Sequence, residues 1–149
     1  HFGLNMNERQ QQVRALLSER WLGDPECTGP VVLCGDFNAM PHSAVWRALG
    51  RCLHDAQLQL ENHRPRKTWF GRMPVGRIDH VFISDHFEVA AVQVASTAVT
   101  RTASDHLPLI VDLKLKSSVQ EGHATAADGG LAAVERQQDG LLSGSESTR

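Results

Sequence analysis

The chain has 149 residues, enough for one domain of ordinary size with a real core, and 41% of them are hydrophobic. A formal net charge of −2 gives no overall signature of nucleic-acid binding, and no apolar run is long enough to span a membrane. Five acidic and two basic residues from Ser117 onward give that stretch −3 and leave +1 for residues 1–116, so a slightly basic body precedes an acidic tail.

Cys27, Cys34 and Cys52 are odd in number and lack metal-type spacing. They form no disulfide framework, and a reducing, cytoplasmic setting fits them better. The chain opens on His1 rather than Met, so the expectation is that its N-terminus is missing and that the lack of a signal peptide carries no weight.

His1-Phe2-Gly3-Leu4 begins abruptly, as if at a strand end. Asn7, with Gln10 three residues on, resembles a capping box. Val13, Leu16, Leu17 and Trp21 then recur at helical spacing, which predicts an amphipathic helix packed on a sheet and ending near Gly23-Asp24-Pro25. Val31-Val32-Leu33-Cys34 runs into Gly35, the pattern of a buried strand with Cys34 as a small core residue. Asp36 and Asn38 follow, two apart. In extended backbone they point the same way and offer a carboxylate and a carbonyl oxygen to a hard cation such as Mg²⁺. The alternative is an Asx turn, in which each caps its own backbone.

Ser43 is placed to cap a short helix through Trp46 and Leu49 that Gly50 stops. Residues 53–60 are ambiguous between helix and turn. Arg64, Arg66, Lys67, Arg72 and Arg77 then occur with no acid between Asn62 and Ile78, and Trp69-Phe70 lie among them. Cations interleaved with aromatics suit a polyanion such as a phosphate backbone. A solvated loop with its aromatics tucked into the core accounts for them equally well. Residues 78–83 and 89–99 read as strands, 100–104 as a polar loop, and 109–115 as a final strand. From Ser117 the apolar pattern fades into Ala, Gly, Ser, Gln and Glu, which predicts a disordered tail over 117–149 with at most a transient helix at 131–138.

Three strand ends thus carry an acid beside another polar group: Asp36/Asn38, Asp79/His80 and Asp105/His106. Catalytic groups concentrate on loops held by a rigid sheet. One such acid is usually a cap or a surface charge, whereas three arranged alike are harder to dismiss. His42 and His80 are extras, and for His80, inside a strand, a satisfied core histidine is the better reading.

Gly35-Asp36-Phe37-Asn38, Arg77-Ile78-Asp79-His80-Val81 and Ser104-Asp105-His106-Leu107-Pro108, in this order, resemble the signature motifs of the endonuclease/exonuclease/phosphatase superfamily. That group includes DNase I-like nucleases, abasic-site endonucleases, neutral sphingomyelinases, inositol-polyphosphate 5-phosphatases and deadenylases. The opening His1-Phe2-Gly3-Leu4 is similar to the family's His-bearing strand end. The resemblance covers residues 1–115 and implies an α+β fold that is part of a four-layer α/β sandwich. Residues 1–116 would be the second-half sheet with flanking helices, and the first half would be missing.

The resemblance also implies an activity: hydrolysis of phosphodiester or phosphomonoester bonds by in-line attack of water, with Mg²⁺ or else Mn²⁺. Asp36 and Asn38 would hold the attacking water and the phosphate near the metal, and Asp105 would be a metal ligand. His106 would contact the scissile phosphate beside the metal, Asp79 would fix its tautomer, and His1 would touch phosphate. The chemistry asks for these types in any case, because a phosphoryl group in transit spreads negative charge that metal, imidazolium and amide donors stabilise.

The chain departs from the family at its front. An early Asn and an early Glu metal ligand come from the family's first half, and Glu8 and Glu19, on the amphipathic helix, do not stand in for them. The expectation is a fragment with little or no hydrolase activity and an apolar sheet face exposed where the other half would dock. Two alternatives are a non-catalytic phosphate- or nucleic-acid-binding remnant and an unrelated α/β scaffold with chance Asp-His pairs. Nucleic acid, phospholipid and inositol phosphate are not separable as substrates at this level, and neither is the oligomeric state legible.

Overall fold

The computed structural model describes residues 1–117; the expectations for the tail and for a helix at 131–138 fall outside the described residues. Strands β1 (Val32–Asp36), β2 (His54–Asp55) and β3 (Asp79–Ile83) form an antiparallel sheet in the order β1-β3-β2. A second sheet pairs β4 (Phe87–Val94) with β5 (Leu109–Leu115), with a register shift between Val89 and Ala91. Helices α1 (Met6–Leu16), α2 (Ala44–Leu49) and α3 (Thr100–Ala103), and a 3-10 turn at Ala56–Leu58, complete the described residues' regular elements.

Register decides what each face of the first sheet meets. Leu33 pairs with Phe82, and Cys34 with Val81. Directly opposed residues share a face. Phe82 turns toward the helices, where it joins Val13, Phe37, Ala39, Val45, Leu49 and Leu53 in one core. Val81 and Ile83 turn the other way, onto Val89, Val92, Val111 and Leu113 of the second sheet. Asp36 opposes Asp79 at the end of this same second face. The sandwich therefore delivers two carboxylates to the rim where the sheets meet. Just before them Gly35 adopts φ 153°, a conformation that a side chain rarely tolerates.

Leu49 is fully buried, and its truncation leaves a void with little freedom to collapse. Leu49→Ala is expected to lower unfolding stability by about 2–5 kcal/mol in a urea melt. A loss below about 1 kcal/mol would show that this cluster is not the core.

Several local expectations are corrected. Asn5, not Asn7, caps α1: its Oδ1 accepts from the Asn7 backbone N–H at 2.8 Å, which puts Asn7 inside the first turn. The helix stops at Leu16, where the Ser18 hydroxyl bonds back to the Ala15 carbonyl and the chain passes into turns. Trp21 consequently leaves the apolar stripe and lies 65% exposed. The 53–60 stretch resolves into β2 and the 3-10 turn, capped by Asp55. The 100–104 loop holds one helical turn, because Thr97 and Thr100 cap each other reciprocally. The strand expected over 89–99 runs from Phe87 to Val94.

Strand β1 is not the fully buried strand its composition suggested. Its residues are half-buried or exposed, and Cys34 is exposed rather than in the core. The second sheet covers Val81 and Ile83 of β3 and leaves Val32 and Cys34 of β1 to solvent.

Candidate active site

The site is built where β1 ends, β3 begins and the loop before β5 arrives. That loop is tied down by backbone bonds: Leu107 N–H donates to the Thr68 carbonyl at 2.8 Å, and Gly71 N–H to the Asp105 carbonyl at 2.7 Å. These staples carry His106 to Asp79. His106 Nδ1 lies 2.9 Å from Asp79 Oδ2 and 3.1 Å from Oδ1, so Nδ1–H donates and Nε2 is the nitrogen left for another partner. The Thr68 hydroxyl donates to the same Oδ2. The carboxylate is thus held from two sides.

Partial burial pulls the His106 pKa down, but the hydrogen bond and charge of Asp79, with the charges of Asp36 and Asp105, outweigh it and leave it above the ordinary 6.5. All three acids of the sequence motifs therefore act on one imidazole. Their convergence, invisible in the sequence, is a property of the fold.

Asp36 and Asn38 make the Asx turn that was one of their two readings. Asp36 Oδ1 accepts from the Asn38 backbone N–H at 2.8 Å. Asn38 has φ 46°, so the strand ends before it and the same-face argument for an extended pair does not apply. Its amide nitrogen nonetheless returns to Asp36 Oδ2 at 3.3 Å and donates to the Phe2 carbonyl at 2.7 Å. Phe2 N–H in turn donates to the Asp36 carbonyl at 2.8 Å. Exposed His1 is the next residue, so the opening segment is moored to the site.

Asp36, Asn38, Asp105 and His106 are the candidate metal ligands; among the described residues no three or more His, Cys, Asp or Glu side chains are grouped so as to hold a metal ion by themselves. Asp36 bonds to Asn38 through the Asn38 N–H and amide nitrogen, and His106 Nδ1 to Asp79. His106, also a candidate metal ligand, offers Nε2 to any further partner, since Nδ1 faces Asp79.

His80 is the core histidine its strand position suggested. It is 1% exposed, with Nδ1 3.1 Å from Asp55 Oδ2 and Nε2 donating to the Ala39 carbonyl at 2.9 Å. Arg77 is corrected as a polyanion contact. It is buried and grips Asp55 with both Nη atoms, at 3.1 and 2.9 Å. Arg64, Arg66, Lys67 and Arg72 remain exposed.

Sequence reasoning missed Thr68 and Asp55. No signal marked Thr68 within the basic run, and Asp55 sat in the ambiguous segment. Thr68→Val, which leaves Asp79 without that donor, is expected to lower stability by about 1–3 kcal/mol, and Thr68→Ser to recover most of it. Equal urea midpoints for the two variants would remove the hydroxyl from the account.

Two antiparallel sheets that share a core, helices against the other face of the first, and a carboxylate-backed histidine at one rim define a mixed α and β sandwich with a candidate site at its edge. The model of the Endonuclease/Exonuclease/phosphatase family matches residues 2–106, and the chain belongs to that family. It is 32% identical over 117 residues to a UPF0294 protein of Vibrio cholerae, covering 77% of this chain and 37% of that one. It is 28% identical over 115 residues to YbhP of Escherichia coli K12, covering 77% and 44%. Among solved structures, a functionally unknown conserved protein of Enterococcus faecalis V583 aligns with TM-score 0.67 and 22% identity, over 78% of this chain and 48% of that one. The Bacteroides thetaiotaomicron mannosyl-6-phosphatase Bt3783 aligns with TM-score 0.62 and 21% identity, over 74% and 47%. The chain spans less than half the length of each of these relatives. The family acts on phosphorylated substrates. No helix among the described residues is long and apolar enough to cross a membrane.

Proposed function

We propose that this chain carries the phosphate-facing histidine site of a divalent-metal-dependent hydrolase of phosphodiester or phosphomonoester bonds. The observation that carries the reading is the Asp79–His106 pair with Asp36 and Asp105 around it. Asp79 holds Nδ1, so His106 meets substrate through Nε2. The acids around it raise its pKa and so favour the protonated ring, which would donate from Nε2 toward a phosphoryl oxygen, where charge gathers as the bond breaks. Asp36, at the neighbouring strand end, would orient the attacking water, with Asn38 bonded to it and His1 one residue before the Phe2 carbonyl that Asn38 holds.

The donor set suits Mg²⁺ by chemistry. That cation keeps several waters and takes only one or two carboxylates plus substrate phosphate, so it needs no protein cage. Asp36, Asp105 and the Asn38 carbonyl oxygen would hold it, and when bound it would neutralise charge on the phosphate oxygens.

The test is hydrolysis of bis(4-nitrophenyl) phosphate and 4-nitrophenyl phosphate with and without Mg²⁺, by the chain and by His106→Gln, alongside a phosphate titration read at the His106 ring by NMR. Mg²⁺-dependent turnover that falls about 100-fold or more in His106→Gln supports catalysis. Phosphate binding at His106 without turnover in any variant favours the non-catalytic remnant. Neither signal would sink both.

A further inference from the structure

We propose that His80, although buried in the core, is a positioning residue of this site: its Nε2–H holds the turn that carries Asp36 and Asn38. The proposal rests on the reading of Asp36 as the group that orients the attacking water. Asp79 and His80 are neighbours on β3, so they point to opposite faces of the sheet. Asp79 serves the site through His106. His80 turns into the core instead, where its Nε2 lies 2.9 Å from the Ala39 carbonyl. A carbonyl can only accept, so Nε2 is the donor.

Ala39 follows Asn38 directly and is itself buried. The stretch from 38 to 42 leaves β1 for α2 and contains two left-handed residues, Asn38 at φ 46° and His42 at φ 65°. Its local bonds run from Asn38 N–H to Asp36 Oδ1 and from Ser43 N–H to the Met40 carbonyl. They set the curvature of the turn but not its place against the sheet. Two other bonds do that. Phe37 N–H donates to the Ile78 carbonyl at 2.9 Å on one side of Asn38, and His80 reaches Ala39 on the other. Asn38 is thus fixed from both sides, and Asp36 with it.

The ring is in turn held in one orientation. Its Nδ1 edge meets Asp55 Oδ2 at 3.1 Å. That carboxylate is set by Trp46 Nε1 at 2.8 Å, by the Gln57 backbone N–H at 3.1 Å and by both Nη atoms of Arg77. Phe37 stands edge-on to the imidazole at 5.9 Å between centroids, and Phe82 stacks on it at 5.4 Å. Reacting groups need to be held within about 0.5 Å of their productive place, which side chains locked by packing and hydrogen bonds achieve. An apolar ring would fill the same volume with no polar atom to satisfy, so packing alone does not account for a histidine here.

The experiment compares two variants of the full chain that each keep one edge of the ring. His80→Asn keeps a donor at the Nδ1 position, toward Asp55, and loses the reach to Ala39. His80→Gln keeps a donor at the Nε2 position. NMR of isotope-labelled protein reads the Asn38 side-chain amide, whose signal reports its bonds to the Phe2 carbonyl and to Asp36. His80→Asn is expected to move that signal toward the position of a solvated amide. It is also expected to lower kcat for bis(4-nitrophenyl) phosphate about 10- to 100-fold with KM little changed. His80→Gln is expected to restore both, even where it melts at the lower temperature of the two. A residue needed only for folding would make the losses follow melting temperature instead. An Asn38 signal unmoved in His80→Asn, or losses in His80→Gln equal to those in His80→Asn, overturns the proposal. Native His80 whose Nε2 shows no bonded proton in a proton–nitrogen ring spectrum overturns it as well, and that measurement needs no variant. The two readings fail separately. An Asn38 signal moved in His80→Asn and restored in His80→Gln, without phosphoester turnover in any chain, removes hydrolysis and keeps the positioning. Turnover that His106→Gln abolishes but His80→Asn leaves at the native rate removes the positioning and keeps hydrolysis.

Discussion

Asp79→Asn is expected to drop the His106 pKa and to reduce phosphoester turnover by about 100- to 10,000-fold. Burial pulls that pKa down, and the bond and charge of Asp79 are the foremost influences pushing it up, ahead of Asp36 and Asp105. An amide keeps the shape and deletes the charge. It also offers either an oxygen or an NH₂ group to Nδ1, so the ring is no longer held in one tautomer. In the native protein the imidazolium persists above pH 6.5, its ordinary value. Any stability from the pair is fully present below that value and fades as pH rises through the higher folded pKa. In the variant both the protonated fraction and the descending limb of the pH–rate profile shift to lower pH. NMR titration of the His106 ring reads the first, and initial rates across pH read the second. A ring that titrates unchanged in Asp79→Asn would mean that Asp79 does not set its charge.

How far the sequence went can be judged at particular residues. Asp79, His106 and Asp36 were legible because chemistry and motif agreed on them, and the strands that present them were marked by β-branched runs. What the sequence did not contain was their convergence. That depends on the register opposing Asp36 to Asp79 and on the backbone staples that bring His106 across from the second sheet. Cys34 misled because an apolar strand reads as buried whether one or both faces are covered. Arg77 misled for the opposite reason. A cation in a basic run reads as solvated, and only a partner 22 positions away, Asp55, makes its burial tolerable. Asn38 was open to two readings, an Asx turn and a same-face pair with Asp36 in extended backbone, and the fold makes the turn because the strand ends before it.

That buried partner gives the other large effect. Asp55→Ala is expected to cost about 3–5 kcal/mol, a large part of the stability of a domain this size, because it strands the Arg77 guanidinium in the interior. The carboxylate is 4% exposed and accepts from Arg77, from His80, from Trp46 Nε1 at 2.8 Å and from the Gln57 backbone N–H. Burial alone would raise its pKa; the bonds to His80, Trp46 and Arg77 override it and hold the value at about 2, against an ordinary 3.8. The depressed value means that about 2 kcal/mol of stability is present above pH 3.8 and is lost as pH falls toward 2. Acid unfolding should therefore steepen in that window, and Asp55→Asn should flatten it while retaining the shape of the side chain. If the cost of Asp55→Ala comes from the stranded charge, adding Arg77→Met should recover part of it, and a urea-based double-variant cycle measures how much. Additive losses would show instead that the two side chains stabilise the fold independently. Arg77 and His80 bracket Asp79 along the chain, one two residues before it and one immediately after. Asp55 thus anchors the chain on both sides of Asp79, whose carboxylate Thr68 and His106 hold, and loss of Asp55 is expected to change the His106 titration before the protein unfolds.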